Sequence, residues 1–98
     1  MPAMHELTAD DLPAAALDSD LTVWVRLPPR YKAGKPSHRF KYEQRRVREI
    51  GGSYHPDTHA WTVPEPAKHL LQLTYLLERT QAVLYAADTD ESPTPDTF

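Results

Sequence analysis

Cysteine is absent from this chain, which excludes disulfides and every thiolate metal site. Glycine is scarce: Gly34, Gly51 and Gly52 are the only three, so no glycine-rich phosphate loop can be assembled. No run of about 18 apolar residues occurs, and no membrane-spanning helix is expected. The first twenty residues hold no Lys or Arg and no apolar stretch, which argues against a secretory leader and for a cytoplasmic protein. Nucleophile motifs are missing too, and carboxylates gather near the two ends, so an enzyme is not expected and no catalytic residue is assigned. His55 and His59 stand four apart with Asp57 between them. That spacing shares a face only on a helix, and Pro56-Asp57 favours a turn, so they read as loop histidines. No metal and no cofactor is expected.

What the chain does have is a segregated charge pattern. Its formal net charge is −3, yet nine of its eleven Lys and Arg lie between Arg26 and Arg48, opposed there only by Glu43. The first twenty residues carry five acids and the last eleven carry four. A basic middle between acidic ends governs partner choice more than the total does.

The length, 98 residues, suits one domain. Residues 1–20 mix Ala, Pro and acids without clear period and read as a mobile acidic arm, with a short helical turn allowed near Thr8–Leu12. Leu21–Leu27 alternates Leu21, Val23, Val25 and Leu27 against Thr22, Trp24 and Arg26, the period of a strand with its aliphatic face inward. Pro28 and Pro29 end it, and a basic loop follows. From about Phe40 to Ile50 the period is helical, with Ser37 available as a cap. Gly51 stands where a helix end needs positive φ. Two short strands, Ser53–His55 and Ala60–Val63, flank a Pro56-Asp57-Thr58 turn. Pro66 opens a helix whose Leu70, Leu73 and Leu77 share a face. Residues 81–87 either continue that helix or form a strand. The tail, residues 88–98, is acidic and Pro-containing and reads as disordered. The expected fold is α+β over residues 21–87: a small antiparallel sheet of three short strands packed against two helices.

This order resembles the small module of HARP domains in annealing helicases. Similar units stand at the N-termini of some phage-type tyrosine recombinases and in a small bacterial domain fused to primases. The matching residues are Val47, Ile50, Gly51, Gly52, Tyr54, Asp57, Trp61, Val63 and Pro64, with Leu70, Leu73 and Leu77 in the closing helix. The likeness spans roughly residues 38–80. It departs from the family in the Pro- and Lys-rich loop between first strand and helix, and no helicase, primase or recombinase catalytic region accompanies it. The resemblance implies a bacterial accessory that engages DNA or docks on a partner.

The residues themselves point the same way. Phosphate binding requires several cations on one surface. Lys41, Arg45 and Arg48 share a helix face at i, i+4, i+7, flanked by Arg39 and Arg46. Arg26, Arg30, Lys32 and Lys35 precede them. Trp24, Tyr31 and Tyr42 each adjoin a cation and are the expected base-stacking rings. Trp61 and Phe40 read as core, and Tyr54 fits either role. The expected function is therefore a non-catalytic nucleic-acid-binding module, with single-stranded or forked DNA favoured. A solvated helix face is the bland reading of the same charges. An acidic protein partner, anchored by Trp24, is the other functional one. The acidic ends either solubilise the protein or compete for its basic face. Oligomeric state stays open, since the first strand can also pair as an edge.

Overall fold

Alternation in LTVWVR sends Val23 and Val25 to one side of a strand and Trp24 to the other, and both sides turn out to be covered. The computed structural model describes residues 5–28 and 31–88. In chain order these form β1 (His5–Glu6), α1 (Leu12–Leu17), β2 (Leu21–Arg26), β3 (Tyr31–Lys32) and β4 (Lys35–Pro36). They continue as α2 (His38–Glu49), β5 (Ser53–His55), β6 (Ala60–Val63), a 3-10 turn at Pro66–His69, α3 (Leu70–Arg79) and β7 (Val83–Asp88). The class is α+β as expected, but larger: a five-stranded antiparallel sheet, order β1-β7-β2-β6-β5, a separate β3-β4 hairpin, and three helices. Among the described residues no helix is long and apolar enough to cross a membrane.

Topology decides which side the helices take. The connections β1 to β2, β2 to β5 and β6 to β7 each join two parallel strands across one intervening antiparallel strand. Right-handed crossovers of these directions put every connecting helix on the same face. The core agrees: Leu12 and Ala15 of α1, Phe40 and Val47 of α2, and Leu73 and Leu76 of α3 meet Val23, Val25, Trp61, Val63, Leu84 and Ala86 of the sheet in one cluster.

Residues 5–17, expected as part of a mobile arm, are instead built into this core. Leu7 and Leu12 are fully buried, and the Leu7 amide donates to the Leu84 carbonyl at 2.8 Å. Thr8 and Asp11 bond reciprocally, the Thr8 amide donating to Asp11 Oδ2 at 3.3 Å and the Asp11 amide to Thr8 Oγ1 at 3.3 Å, a capping-box arrangement ahead of α1. Within residues 81–87, left open between a continued helix and a strand, the chain from Val83 onward forms the strand β7, hydrogen-bonded on both sides by β1 and β2. The acidic tail beyond Asp88 lies outside the described residues.

The joint between α2 and β5 rests on its two glycines. Ser37 starts the helix by accepting from the Phe40 amide at 3.2 Å. At the other end Gly51, φ +84°, donates to Arg48 O, and Gly52 donates to Val47 O. That pair of bonds is a Schellman motif. A Cβ on Gly52 would stand 2.5 Å from Val47 Cγ1 and 2.7 Å from the Val47 carbonyl oxygen, so helix and strand approach too closely for any other residue. Gly52→Ala is expected to cost about 1–3 kcal/mol, since the clash involves backbone as well as side chain. A thermal melt should record a fall of about 4–8 °C per kcal/mol.

Candidate nucleic-acid interface

The charge pattern of the twelve residues of α2 cannot say which cations are free; the packing of the helix does. Its inward positions, Phe40, Glu43, Val47 and Ile50, are buried. Lys41, Arg45 and Arg48 point away from them and are all exposed, forming the one-sided row that their spacing predicts.

Arg39 and Arg46 do not join that row. Both lean the other way, toward α3. Arg39 Nη2 donates to the Arg79 carbonyl at 3.3 Å, satisfying a carbonyl in the last turn of α3, and its Nε lies 3.7 Å from Oε1 of the buried Glu43. The Arg46 guanidinium sits 5.7 Å from the Tyr42 ring centre and 5.2 Å from that of Tyr75. Such contacts contribute about 0.5–1 kcal/mol at exposed sites, so Arg46 and Tyr42 tie α2 to α3. Helical spacing alone sets these residues beside the cationic row, and the packing of α3 against α2 is what turns them from it.

The loop expected before α2 contains a tight hairpin. Ala33 and Gly34 both take positive φ, 54° and 78°, as a two-residue type I′ turn requires. The turn sets Lys32 directly opposite Lys35 in the pairing, with both side chains exposed. Like charges facing each other across strands repel, a cost that a bound anion relieves. Tyr31, also exposed, fixes the hairpin to the start of α2 through a tilted ring contact with Phe40, centroids 6.1 Å apart. Arg30 lies outside the described residues.

Trp24 is not the exposed stacking ring expected. It does lie on the sheet face away from the helices, but only 5% of it is accessible. Small neighbours explain this: Ala60 and Ala87 leave room for the indole, Tyr85 packs beside it, and the His55 ring stands at 5.0 Å. Arg26, two residues on, shares that face and is half-buried, so it too is remote from the α2 row.

Tyr54, which the sequence left open between core and surface, is exposed. Tyr54 pairs across the β5–β6 hairpin with Trp61, which puts both rings on the helix side. Their centroids are 5.2 Å apart, and the Arg48 guanidinium lies 5.5 Å from the Trp61 ring centre. Tyr54 OH meets His59 Nδ1 at 3.3 Å, while His55 Nε2 is engaged by Thr62 Oγ1 at 2.9 Å. The two histidines therefore serve different partners. Among the described residues no cluster of three or more His, Asp or Glu could hold a metal ion. The Glu65 carboxyl, in the turn before α3, is held below its usual range by the hydrogen bond and charge of Lys68. No protein-family model, curated protein or solved structure matches the chain, and its candidate site stands on its own geometry.

Proposed function

We propose that the protein is a non-catalytic, cytoplasmic nucleic-acid-binding module that takes single-stranded or forked DNA in repair, replication or mobile-element processing. The observation that carries this reading is the exposed row Lys41, Arg45 and Arg48 along one side of α2, with no acidic residue in that helix's first turn. Lys32 and Lys35 extend the cationic surface from the hairpin that precedes the helix. Five cations on neighbouring elements suit a flexible phosphate chain better than base-edge reading, for which no helix-turn-helix or zinc-finger pattern is present. The resemblance to HARP-type modules supports an accessory role, its Gly51-Gly52 joint being what aims α2. An acidic protein would meet the same cations, but the anchor that reading needs, Trp24, is buried on the opposite face.

The test is fluorescence anisotropy with labelled single-stranded, duplex and forked DNA across a salt series. Five phosphate contacts give a log–log slope of about −3.5 on a single strand, from about 0.7 per contact. Lys32→Gln/Lys35→Gln should lower that slope by about 1.4 on every sequence alike. Absence of binding at about 50 mM salt would overturn the proposal and leave the acidic protein partner as the reading to pursue.

A further inference from the structure

Beside the basic row, a cleft of about 470 Å³ opens between the C-terminal half of α2 and the β5–β6 hairpin, lined by Gln44, Arg48, Gly52, Tyr54 and Trp61. Its size falls in the range of about 300–1,000 Å³ usual for small-molecule sites. We infer that this cleft seats one base of the bound strand, with Tyr54 as the stacking ring and Arg48 holding the adjoining phosphate. The inference rests on the nucleic-acid reading above and adds to it the place where a base, as distinct from the backbone, is held.

Three observations support it. Tyr54 leaves 46% of its surface accessible although it stands on the helix-side face of the sheet, where its cross-strand neighbour Trp61 is buried. It is also held from two sides, by the Trp61 ring at 5.2 Å and by the hydroxyl contact to His59. A ring fixed before binding loses little entropy when a base settles on it. Arg48 belongs at once to the row and to the cleft, its guanidinium 5.5 Å from the Trp61 ring centre. A strand following Lys41, Arg45 and Arg48 would therefore pass the cleft mouth. Gln44, one turn before Arg48, adds an amide with both donor and acceptor, which suits the edge of any base and selects none strongly. By contrast Tyr42 faces Arg46 on the α3 side, and Tyr31 stands on the hairpin at the opposite end of α2.

The experiment compares an oligothymidylate with an abasic sugar–phosphate strand of equal length and charge, on the wild-type protein and on Tyr54→Ala and Tyr54→Phe. Wild type should bind both strands with the same salt slope, the abasic one about 5- to 150-fold more weakly, the worth of one stacked base. In Tyr54→Ala that gap should close, and in Tyr54→Phe it should persist. Trp61 emission should change with the thymidylate strand and not with the abasic one. A salt-dependent affinity that is equal for both strands, or a gap that survives undiminished in Tyr54→Ala, overturns the cleft as base seat while leaving the phosphate row standing. No binding of either strand by the wild type overturns both.

Discussion

Arg45→Glu/Arg48→Glu is expected to weaken single-stranded DNA binding by about 10²- to 10³-fold at roughly 0.1 M salt. Each phosphate contact on a single strand scales as the salt concentration to a power of about −0.7, or about fivefold per contact at that salt relative to 1 M. Losing two contacts thus costs about 25-fold, and reversing the charges doubles the electrostatic change. The deficit should shrink steadily as salt is raised, which a packing defect would not do. Both side chains are exposed, so stability should move little. Arg48 accounts for most of any change, through its Trp61 contact and its favourable place in the last turn of α2. Lys68→Gln is the matched control, a cation ion-paired with Glu65 and outside the row. An affinity loss in the control as large as in the double variant would mean that total charge, and not this row, governs binding.

Deleting residues 1–17 is expected to unfold the protein. The segment looks expendable on charge alone, and a purely acidic screen would, once removed, raise DNA affinity at low salt. It cannot be removed in isolation, because β1 pairs with β7 and Leu7, Leu12 and Ala15 lie in the main core. Each buried leucine lost costs about 2–5 kcal/mol, against a total stability of about 5–15 kcal/mol for a domain. The truncated chain should show no cooperative melt and no near-ultraviolet circular dichroism. Leu12→Ala alone should lower stability by about 2–5 kcal/mol with its charge untouched, which separates packing from electrostatics. A truncated protein that still melts cooperatively would return residues 1–17 to the status of an arm.

What the sequence made readable was periodic and long enough to count. β2, α2, the β5–β6 hairpin and α3 each carry several turns or alternations, and their apolar residues fell on the side that became the core. The first elements gave no such signal: β1 has two residues, and LPAAAL of α1 is under two turns. In β7, Val83 and Tyr85 favour a strand while Leu84, Ala86 and Ala87 favour a helix, and only pairing with β1 and β2 decides the matter. The same division holds for the site. Spacing i, i+4, i+7 suffices to align Lys41, Arg45 and Arg48, because that is a property of one helix. Withdrawal of Arg39 and Arg46 depends on where α3 lies. The burial of Trp24 depends on Ala60 and Ala87, more than thirty residues away in sequence. Tyr54 comes to stand beside Arg48 and Trp61 only through its register opposite Trp61.

The strand order also constrains how the protein is made. Of the described strands β7 is the last synthesised, yet it lies between β1 and β2, which are the first two. Until Val83–Asp88 leaves the ribosome, β1 has no neighbour, β2 lacks one of its two, and Leu84 is missing from the core that Leu7 and Leu12 enter. Translation adds about 5–20 residues per second, whereas a hairpin forms in about 1–10 μs, so the β5–β6 hairpin can form and dissolve many times while it waits. Closure of the sheet therefore waits for Val83–Asp88 to emerge, and a message broken before the codon for Val83 yields a chain whose β1 and β2 lack the strand they share.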